Sequence, residues 1–178
     1  MNERKIILYI AMSLDGYIAT KDGSIDWLES DEPILEEDNS YETFYETVDT
    51  VIMGSTTYDQ VVNELSPDIY PYENATSYVL TSKKRTDKEN IHFVNQDIVD
   101  LVDDLKEKSG KNIWIVGGSS IVAPLVAANL IDEYQLAIVP VILGEGIPLF
   151  KAQEKTIFLK KEKVYTKNNL SYLTFVKK

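Results

Sequence analysis

Short apolar runs and helical repeats alternate along the first 130 residues, and this alternation constrains the fold more than any other feature of the chain. The runs are continuous and end at turn residues, which is typical of strands covered on both faces of a sheet. They occupy residues 6–12, 51–53, 78–80, 91–94 and 113–116. Strands that alternate with helices predict a sheet with parallel pairs.

Between the runs, apolar residues recur at positions i, i+3, i+4 and i+7, which is the spacing of one face of a helix. Four such stripes occur: Tyr41, Phe44, Tyr45 and Val48; Tyr58, Val61, Val62 and Leu65; Ile98, Leu101, Val102 and Leu105; and Ile121, Val122, Leu125 and Val126. Each stripe favours core packing over a cofactor-binding box. Gly110 follows the third stripe and is predicted to cap that helix at its C-terminus.

After residue 132 the pattern changes to sequential strands without helices between them. These strands are predicted at residues 134–143, 157–159, 163–166 and 170–176. Sequential strands at the end of a β/α pattern predict a mixed sheet with an antiparallel edge. The long segment 13–41 has little periodicity and is rich in acidic residues, which favours a binding loop or lid. The 178 residues contain no repeat and no linker, so we expect one α/β domain over residues 1–178.

Composition excludes several classes of protein and site. There are 29 acidic and 18 basic residues, and the net charge of -11 argues against nucleic-acid and anionic-membrane partners, which require clustered cations. The chain has no cysteine and one histidine, His92, so disulfides, thiol catalysis, cysteine-ligated metals and multi-histidine zinc sites are excluded. We expect no metal and assign His92 no role. The apolar run 6–12 is too short for a signal core or a membrane span, so we expect a cytoplasmic protein.

The charged residues are unevenly distributed along the chain. Residues 22–82 contain fifteen acidic residues and no lysine or arginine, and the next stretch opens with Lys83, Lys84, Arg85 and Lys88. Such a run is either a solvated face or, in the functional interpretation, an anion-binding site at residues 82–88.

Three predicted strand ends carry residues that suit an anion. They are residues 53–58 (MGSTTY), residues 80–84 (LTSKK) and residues 117–120 (GGSS). Glycine permits close approach of the backbone and a helix N-terminus offers free N–H groups, although helix capping explains each junction taken alone. The G-x-G-x-x-G fingerprint and the P-loop lysine are absent. If the three strand ends converge at one edge of a sheet, they fit NADP, with the pyrophosphate at the two glycine turns and the 2′-phosphate at residues 81–83.

Several motifs resemble the dihydrofolate reductase superfamily. Residues 10–19 (IAMSLDGYIA), with Asp26 and Trp27 after them, resemble its first strand and flexible loop; residues 51–58 resemble its cofactor motif, and residues 115–119 (IVGGS) its pyrophosphate turn. The SLDG motif at residues 13–16 is similar to the reductase domain of riboflavin biosynthesis. Residues 137–150 are similar to the penultimate hairpin of that domain. The resemblance implies the dihydrofolate reductase-like three-layer α/β fold. That fold has a mixed sheet of about eight strands, helices on both faces and an antiparallel C-terminal hairpin.

The same resemblance implies which residues hold NADPH. Ala11, Ile18 and Ala19 would contact the nicotinamide and its ribose, and Trp27, unless it is a plain core residue, would form a wall of the nicotinamide and substrate pocket. The remaining contacts would come from Gly54, Thr56, Thr57, Val116, Gly117, Gly118, Ser119, Ser120 and Ile121 for the pyrophosphate, and from Leu80, Thr81, Ser82 and Lys83 for the adenine ribose and its 2′-phosphate.

Departures from the family pattern bear on the substrate. Ser55 stands where dihydrofolate reductases usually carry an arginine for the 2′-phosphate, and the cation-free stretch 22–82 argues against a folate tail. Val116 stands where riboflavin reductases usually show a glutamate for the pyrimidine. We therefore expect a substrate that is small, heterocyclic and neutral or cationic.

Acidic and aromatic residues near the flexible loop are the candidates for chemistry. Asp38 falls at the place of the superfamily's ring-protonating acid, or else caps the helix that begins near residue 39. Asp26 and an ordered water are the alternative proton donors. Asp15, Tyr41 (or else Glu42) and Tyr45 are predicted to line the substrate pocket together with Trp27.

The leading hypothesis is an NADPH-dependent reductase that transfers hydride to a C=N or C=O carbon. The alternative is an NADP-binding module without turnover, a sensor or partner protein, which the missing substrate-anion contacts suggest. A third interpretation is an α/β nucleotide binder outside the superfamily. The apolar segment 138–143 predicts a homodimer.

Overall fold

A computed structural model describes residues 3–29 and 33–178. The strands are β1 (Ile6–Ser13), β2 (Tyr17–Ala19), β3 (Val48–Gly54), β4 (Thr76–Leu80), β5 (Ile91–Val94), β6 (Asn112–Gly117), β7 (Glu133–Val139), β8 (Ile147–Pro148), β9 (Leu159–Lys167) and β10 (Leu170–Lys177). The helices are α1 (Ser40–Tyr45), α2 (Ser55–Gln60), α3 (Ile98–Lys106) and α4 (Ser119–Ala127), with a 3₁₀ turn at Asp26–Leu28 and a π-helical turn at Val61–Leu65. Within the described ranges, no helix has the length and apolar character needed to cross a membrane.

Eight of the strands form one sheet in the order β5-β4-β3-β6-β1-β7-β10-β9. All neighbours from β5 to β7 are parallel. The last two strands, β10 and β9, are antiparallel to their neighbours and form the C-terminal hairpin. The predicted mixed sheet with an antiparallel edge is therefore confirmed. A second, two-stranded sheet pairs β2 with β8.

The sheet is buried on both faces by helices. Ile6 and Leu8 of β1 belong to a core cluster with α3 and α4, whereas Ile7 belongs to a second cluster that includes Phe44 of α1 and Tyr58 of α2. Since successive side chains of a strand point to opposite faces, a continuous apolar run such as β1 is what a strand between two helical layers requires. The three-layer arrangement predicted by the resemblance is confirmed.

Helix α3 begins where the apolar stripe predicts but ends before Gly110. The Asp97 carboxylate accepts hydrogen bonds from the backbone N–H groups of Val99 and Asp100, at 2.8 and 3.4 Å, and so caps the N-terminus. The predicted C-terminal cap at Gly110 is wrong, because the helix ends at Lys106. A Cβ atom at position 110 would lie 2.5 Å from an oxygen of Asp49, so close packing accounts for this glycine.

The strands after residue 132 differ from the prediction in three ways. β7 ends at Val139, directly before Pro140, which has no N–H group to donate to a neighbouring strand. The expected hairpin at 137–150 is wrong as well, because residues 147–148 pair with β2 in the flexible loop rather than with β7. Finally, 157–159 and 163–166 belong to no separate strands, since β9 runs unbroken from residue 159 to residue 167.

Candidate active site

The two central strands of the sheet separate towards their C-terminal ends. β1 and β6 are paired only as far as Leu8 and Ile115, although β1 continues along β7 and β6 continues along β3. Where they part, the indole N–H of Trp114 donates to the backbone oxygen of Tyr9 at 3.0 Å and satisfies an acceptor that has lost its partner strand. The resulting slot lies at the switch point of an α/β sheet, where such folds bind ligands.

Two helix starts adjoin this slot. β3 passes through Gly54 into α2, and β6 passes through Gly118 into α4, so both N-caps are residues without a side chain. A Cβ atom on Gly118 would lie 3.7 Å from the hydroxyl oxygen of Thr57, and one on Gly54 would lie 3.5 Å from Ile121. The two turns therefore face each other at contact distance. Together they present backbone N–H groups that no N-cap side chain occupies.

The third predicted junction lies at the same edge of the sheet. Leu80 at the end of β4 pairs with Gly54, so Thr81 and Lys83 follow the strand beside the α2 turn. The backbone N–H of Lys83 donates to the hydroxyl of Thr81 at 3.1 Å, and the Lys83 side chain is exposed. The three strand ends therefore lie together at this edge of the sheet, which is the condition that the NADP interpretation requires.

On the face of the sheet covered by α1, small and aromatic residues stand side by side. One row across four strands consists of Ala11, Ala137, Tyr172 and Tyr165. The two alanines form a flat floor next to the slot. The two tyrosines are stacked with ring centroids 4.8 Å apart and stand beside that floor as a wall.

Asp38 contacts this pair of tyrosines through the hydroxyl of Tyr172. One of its oxygens accepts from the backbone N–H of Ser40 at 3.0 Å, the other accepts from the hydroxyl of Tyr172 at 3.0 Å, and the ammonium of Lys167 lies 3.9 Å away. Burial raises the pKa of Asp38, but the Ser40 and Tyr172 hydrogen bonds and the Lys167 charge outweigh burial and leave the pKa below its usual value. Asp38 is therefore an ionised acceptor at neutral pH. The N-cap of α1 is Asn39, so Asp38 lies one residue before the cap and accepts from the N–H of Ser40, the first residue of the helix.

The predicted pocket tyrosines belong to an aromatic cluster around Trp114. Tyr41 stacks on Tyr45 at 5.9 Å, and both rings lie edge-on to Trp114, at 6.0 and 6.4 Å. Burial raises the pKa of Tyr41 to about 12. Tyr9 stacks on Phe44 at 4.2 Å and extends the cluster to the floor. Tyr41 is partly exposed at its edge, whereas the Tyr45 hydroxyl is buried without a partner among the described residues.

The carboxylate of Asp15 is engaged with backbone rather than facing an open pocket. It accepts from the hydroxyl of Ser13 at 2.6 Å and from the N–H groups of Leu143 and Gly144 at 3.1 and 2.7 Å. These bonds, with the Ser13 hydroxyl foremost, lower the pKa of Asp15. Asp15 therefore ties the start of the flexible loop to the segment after β7.

The other loop candidates lie further along the same loop. Asp26 is exposed in the 3₁₀ turn, and Trp27 beside it is half-buried. The Trp27 indole N–H is buried and has no partner among the residues that the structure describes. Ile18 packs against the core, and Ala19 is buried where β2 pairs with β8.

One cleft lies apart from this site. It has a volume of about 390 Å³, opens at the opposite end of the strands and is lined by Arg4, Asp49 and Glu73, among others. The Arg4 guanidinium in it already donates to Asp49, to Thr50 and to two backbone oxygens. The cleft therefore surrounds a structural arginine, and we assign it no chemistry.

The sequence pointed to Asp38 but not to the residues that hold it. Tyr172 and Lys167 lie more than 120 positions away along the chain, in a hairpin that has no motif. The one available signal was the pair Asn168 and Asn169, which favours a two-residue hairpin turn; both residues have positive φ, at 46° and 63°. The Asn168 amide also bonds the backbone of Leu35 and Glu36, which anchors the segment leading to Asp38.

Comparison with known proteins agrees with this architecture. The family model of the RibD C-terminal domain matches residues 4–170. The chain belongs to the RibD C-terminal domain family. It is 48% identical over 149 residues to the uncharacterised protein YwjB of Bacillus subtilis strain 168, covering 83% of each chain.

Solved structures show the same fold. A Shewanella sp. PV-4 protein assigned to riboflavin biosynthesis superposes with a TM-score of 0.85 at 31% identity, covering 98% of this chain and 99% of its own. Dihydrofolate reductase from Enterococcus faecalis, solved in complex with NADP(H) and RAB-propyl, superposes with a TM-score of 0.66 at 19% identity, covering 97% of this chain and 96% of its own. The resemblance to the dihydrofolate reductase superfamily and its riboflavin branch is confirmed.

Proposed function

We propose that this RibD C-terminal domain protein is an NADPH-dependent reductase that transfers hydride to a C=N or C=O carbon of a small heterocycle. The observation that carries the proposal is the slot between β1 and β6, flanked by two glycine turns that face each other at contact distance. The slot has room for a flat ring, and the two helix starts beside it offer N–H groups to a pyrophosphate. This combination suits a nicotinamide dinucleotide.

The residues around the slot fit that cofactor. Larger side chains at Gly54 and Gly118 would fill the space where the pyrophosphate lies in this proposal, and the exposed Lys83 stands at the adjoining strand end for the 2′-phosphate. Ala11 and Ile18 would border the nicotinamide. The unpartnered N–H of Trp27 leaves one buried donor on the loop for a ligand or an ordered water. When bound, the cofactor supplies the hydride.

The substrate pocket follows from the floor formed by Ala11 and Ala137. A planar ring lying on this floor would be close to the slot on one side. On the other side it would contact the tyrosine pair, Tyr172 and Tyr165. Asp38 is ionised, so it favours a substrate with N–H donors or positive charge over an anionic one. For the same reason it has no proton to give at neutral pH, and we propose that an ordered water protonates the product.

Two measurements on the purified protein test this function. Titration with NADPH by fluorescence establishes whether the cofactor binds, and the loss of nicotinamide absorbance with a panel of pteridines, pyrimidines and quinones establishes turnover. We expect saturable binding and oxidation with at least one planar, non-anionic member of the panel. Binding without oxidation across the panel would favour the cofactor-binding module, and no binding of NADPH would contradict both.

We also propose that the chain forms a homodimer. In segment 138–143, Ile142 is exposed. The exposed Phe150 lines a groove of about 170 Å³, and Phe158 is exposed between Ile157 and Leu159, which also line that groove. The edge strand β9 carries four lysines, which disfavour edge-to-edge pairing. Sedimentation should show a dimer that Phe158→Glu dissociates and Val164→Glu, a matched change on β9, does not. A wild-type protein that stays monomeric at all concentrations would contradict this assembly.

A further inference from the structure

An ion pair stands beside the strand end that we assign to the 2′-phosphate. The guanidinium of Arg85 donates from both terminal nitrogens to the two oxygens of Asp59, each at 2.7 Å. The guanidinium also lies 5.5 Å from the ring centroid of Phe93. A bidentate arginine–carboxylate pair against an aromatic ring is a well-defined arrangement, so the guanidinium is committed to Asp59.

Asp59 connects this pair to the cofactor turn. It lies four positions after Ser55 on α2, so the two residues share one face of the helix. Ser55 occupies the position at which the resemblance implies an arginine for the 2′-phosphate. In place of that cation, this face of α2 carries the hydroxyl of Ser55 and, one turn further along the helix, the carboxylate of Asp59.

Only part of the basic stretch 83–88 is therefore available to an anion. Arg85 is held by Asp59, and the Lys88 ammonium donates to the hydroxyl of Tyr58 at 3.0 Å. Lys83 and Lys84 are exposed, and within the described part of the chain neither forms a salt bridge. The charge of Lys83 also lies close enough to lower the pKa of Asp59, after the larger effect of Arg85.

We infer that Asp59 sets the discrimination between NADPH and NADH, because it withholds Arg85 from the 2′-phosphate and leaves Lys83 to bind it. This inference rests on the proposed function. A 2′-phosphate carries close to two negative charges and is the only group by which NADPH differs from NADH. A carboxylate near its site therefore weakens NADPH and leaves NADH unaffected.

The test is a set of binding titrations with NADPH and NADH on Asp59→Asn and Asp59→Ala. With the carboxylate removed, Arg85 is free to bind the phosphate, and one added charge-assisted contact corresponds to about a tenfold gain in NADPH affinity. The NADH affinity should stay within about twofold, a difference too small to report a lost or gained contact. Circular dichroism and unfolding curves verify that each variant is folded.

A double-mutant cycle with Arg85→Gln assigns the gain to that arginine. In the wild-type background, Arg85→Gln should not raise the NADPH affinity and should lower it, since the change leaves the Asp59 carboxylate without its counter-charge. In the Asp59→Asn background, the same change should abolish the gain. Lys83→Gln should weaken NADPH in either background.

The matched control is Glu64→Gln, which removes one negative charge from an exposed position just beyond α2. An equal NADPH gain in this control would mean that overall charge is responsible and would overturn the inference, as would an unchanged NADPH-to-NADH ratio in Asp59→Asn. Failure of both cofactors to bind the wild-type protein would overturn the proposed function itself. The two failures are therefore distinguishable.

Discussion

Among single residues, Asp38 shows how a side chain's chemistry depends on partners remote in sequence. The motif position alone suits a proton donor, yet the hydroxyl of Tyr172, 134 positions away, and the backbone of Ser40 turn the carboxylate into an acceptor. A local pattern predicts which acid stands near the pocket. It does not predict the protonation state, because the packing of β10 under α1 determines the donors around it.

Tyr172→Phe tests this interpretation through the stability of the fold. The pKa of Asp38 is lower in the folded protein than in the unfolded chain. Ionised Asp38 therefore contributes its full stabilisation above the unfolded pKa of about 4, and this contribution is lost as the pH falls through the folded pKa. Removing the donor should cost about 1 to 2 kcal/mol of unfolding free energy at pH 7. Urea unfolding should show this cost shrinking in acid.

The control for that variant is the same change in an Asp38→Asn background. Without the carboxylate charge, Tyr172→Phe should cost less and its cost should not vary with pH. A cost that is equal at pH 7 and in acid, with Asp38 present, would mean that Tyr172 acts by packing and not through the carboxylate.

At the scale of elements, the alternation of apolar runs and helical stripes was sufficient to predict the parallel part of the sheet. The failures have local causes: Gly110 meets Asp49 instead of ending α3, and residues 147–148 pair with β2 because the flexible loop crosses that side of the molecule. Both depend on contacts between distant segments. Hydrophobic periodicity carries no information about such contacts.

Gly118→Ala tests the glycine turn as an element. Gly118 has negative φ, and a Cβ atom there would make an ordinary 3.7 Å contact, so the unfolding free energy should change by less than about 1 kcal/mol. The added methyl group nevertheless occupies space between the two glycine turns, where the pyrophosphate lies in this proposal. NADPH affinity should therefore fall by about tenfold or more. Unchanged affinity in a folded variant would show that the pyrophosphate does not lie against this turn.

Asp15→Ala tests the connection between the flexible loop and the segment after β7. The Leu143 and Gly144 amides lose their acceptor, so their hydrogen exchange should accelerate several-fold. Asp22→Ala is the matched control, because Asp22 lies in the same loop and accepts from the hydroxyl of its near neighbour Thr20. Acceleration by both variants alike would mean that loop charge, and not the Asp15 bonds, protects these amides.

For the whole molecule, order along the chain and position in the sheet together create the site. β1 comes first in sequence but lies between β6 and β7, and its pairing with β6 stops at Leu8 while its pairing with β7 continues, so the central strands part. The sequence raised the possibility that three strand ends converge, and the structure places them at one edge of the sheet. The width and walls of the slot required the structure, because they depend on where pairing between β1 and β6 stops.

The central claim is that this slot holds a nicotinamide dinucleotide, and the unfolding transition with and without NADPH tests it most directly. A ligand that binds only the folded state at about 100 times its dissociation constant adds roughly 2.7 kcal/mol to the unfolding free energy. We expect a gain of this size in the wild-type protein and a much smaller one in Gly118→Ala at the same concentration. A wild-type transition that NADPH does not move, at concentrations up to the millimolar range, would contradict the account.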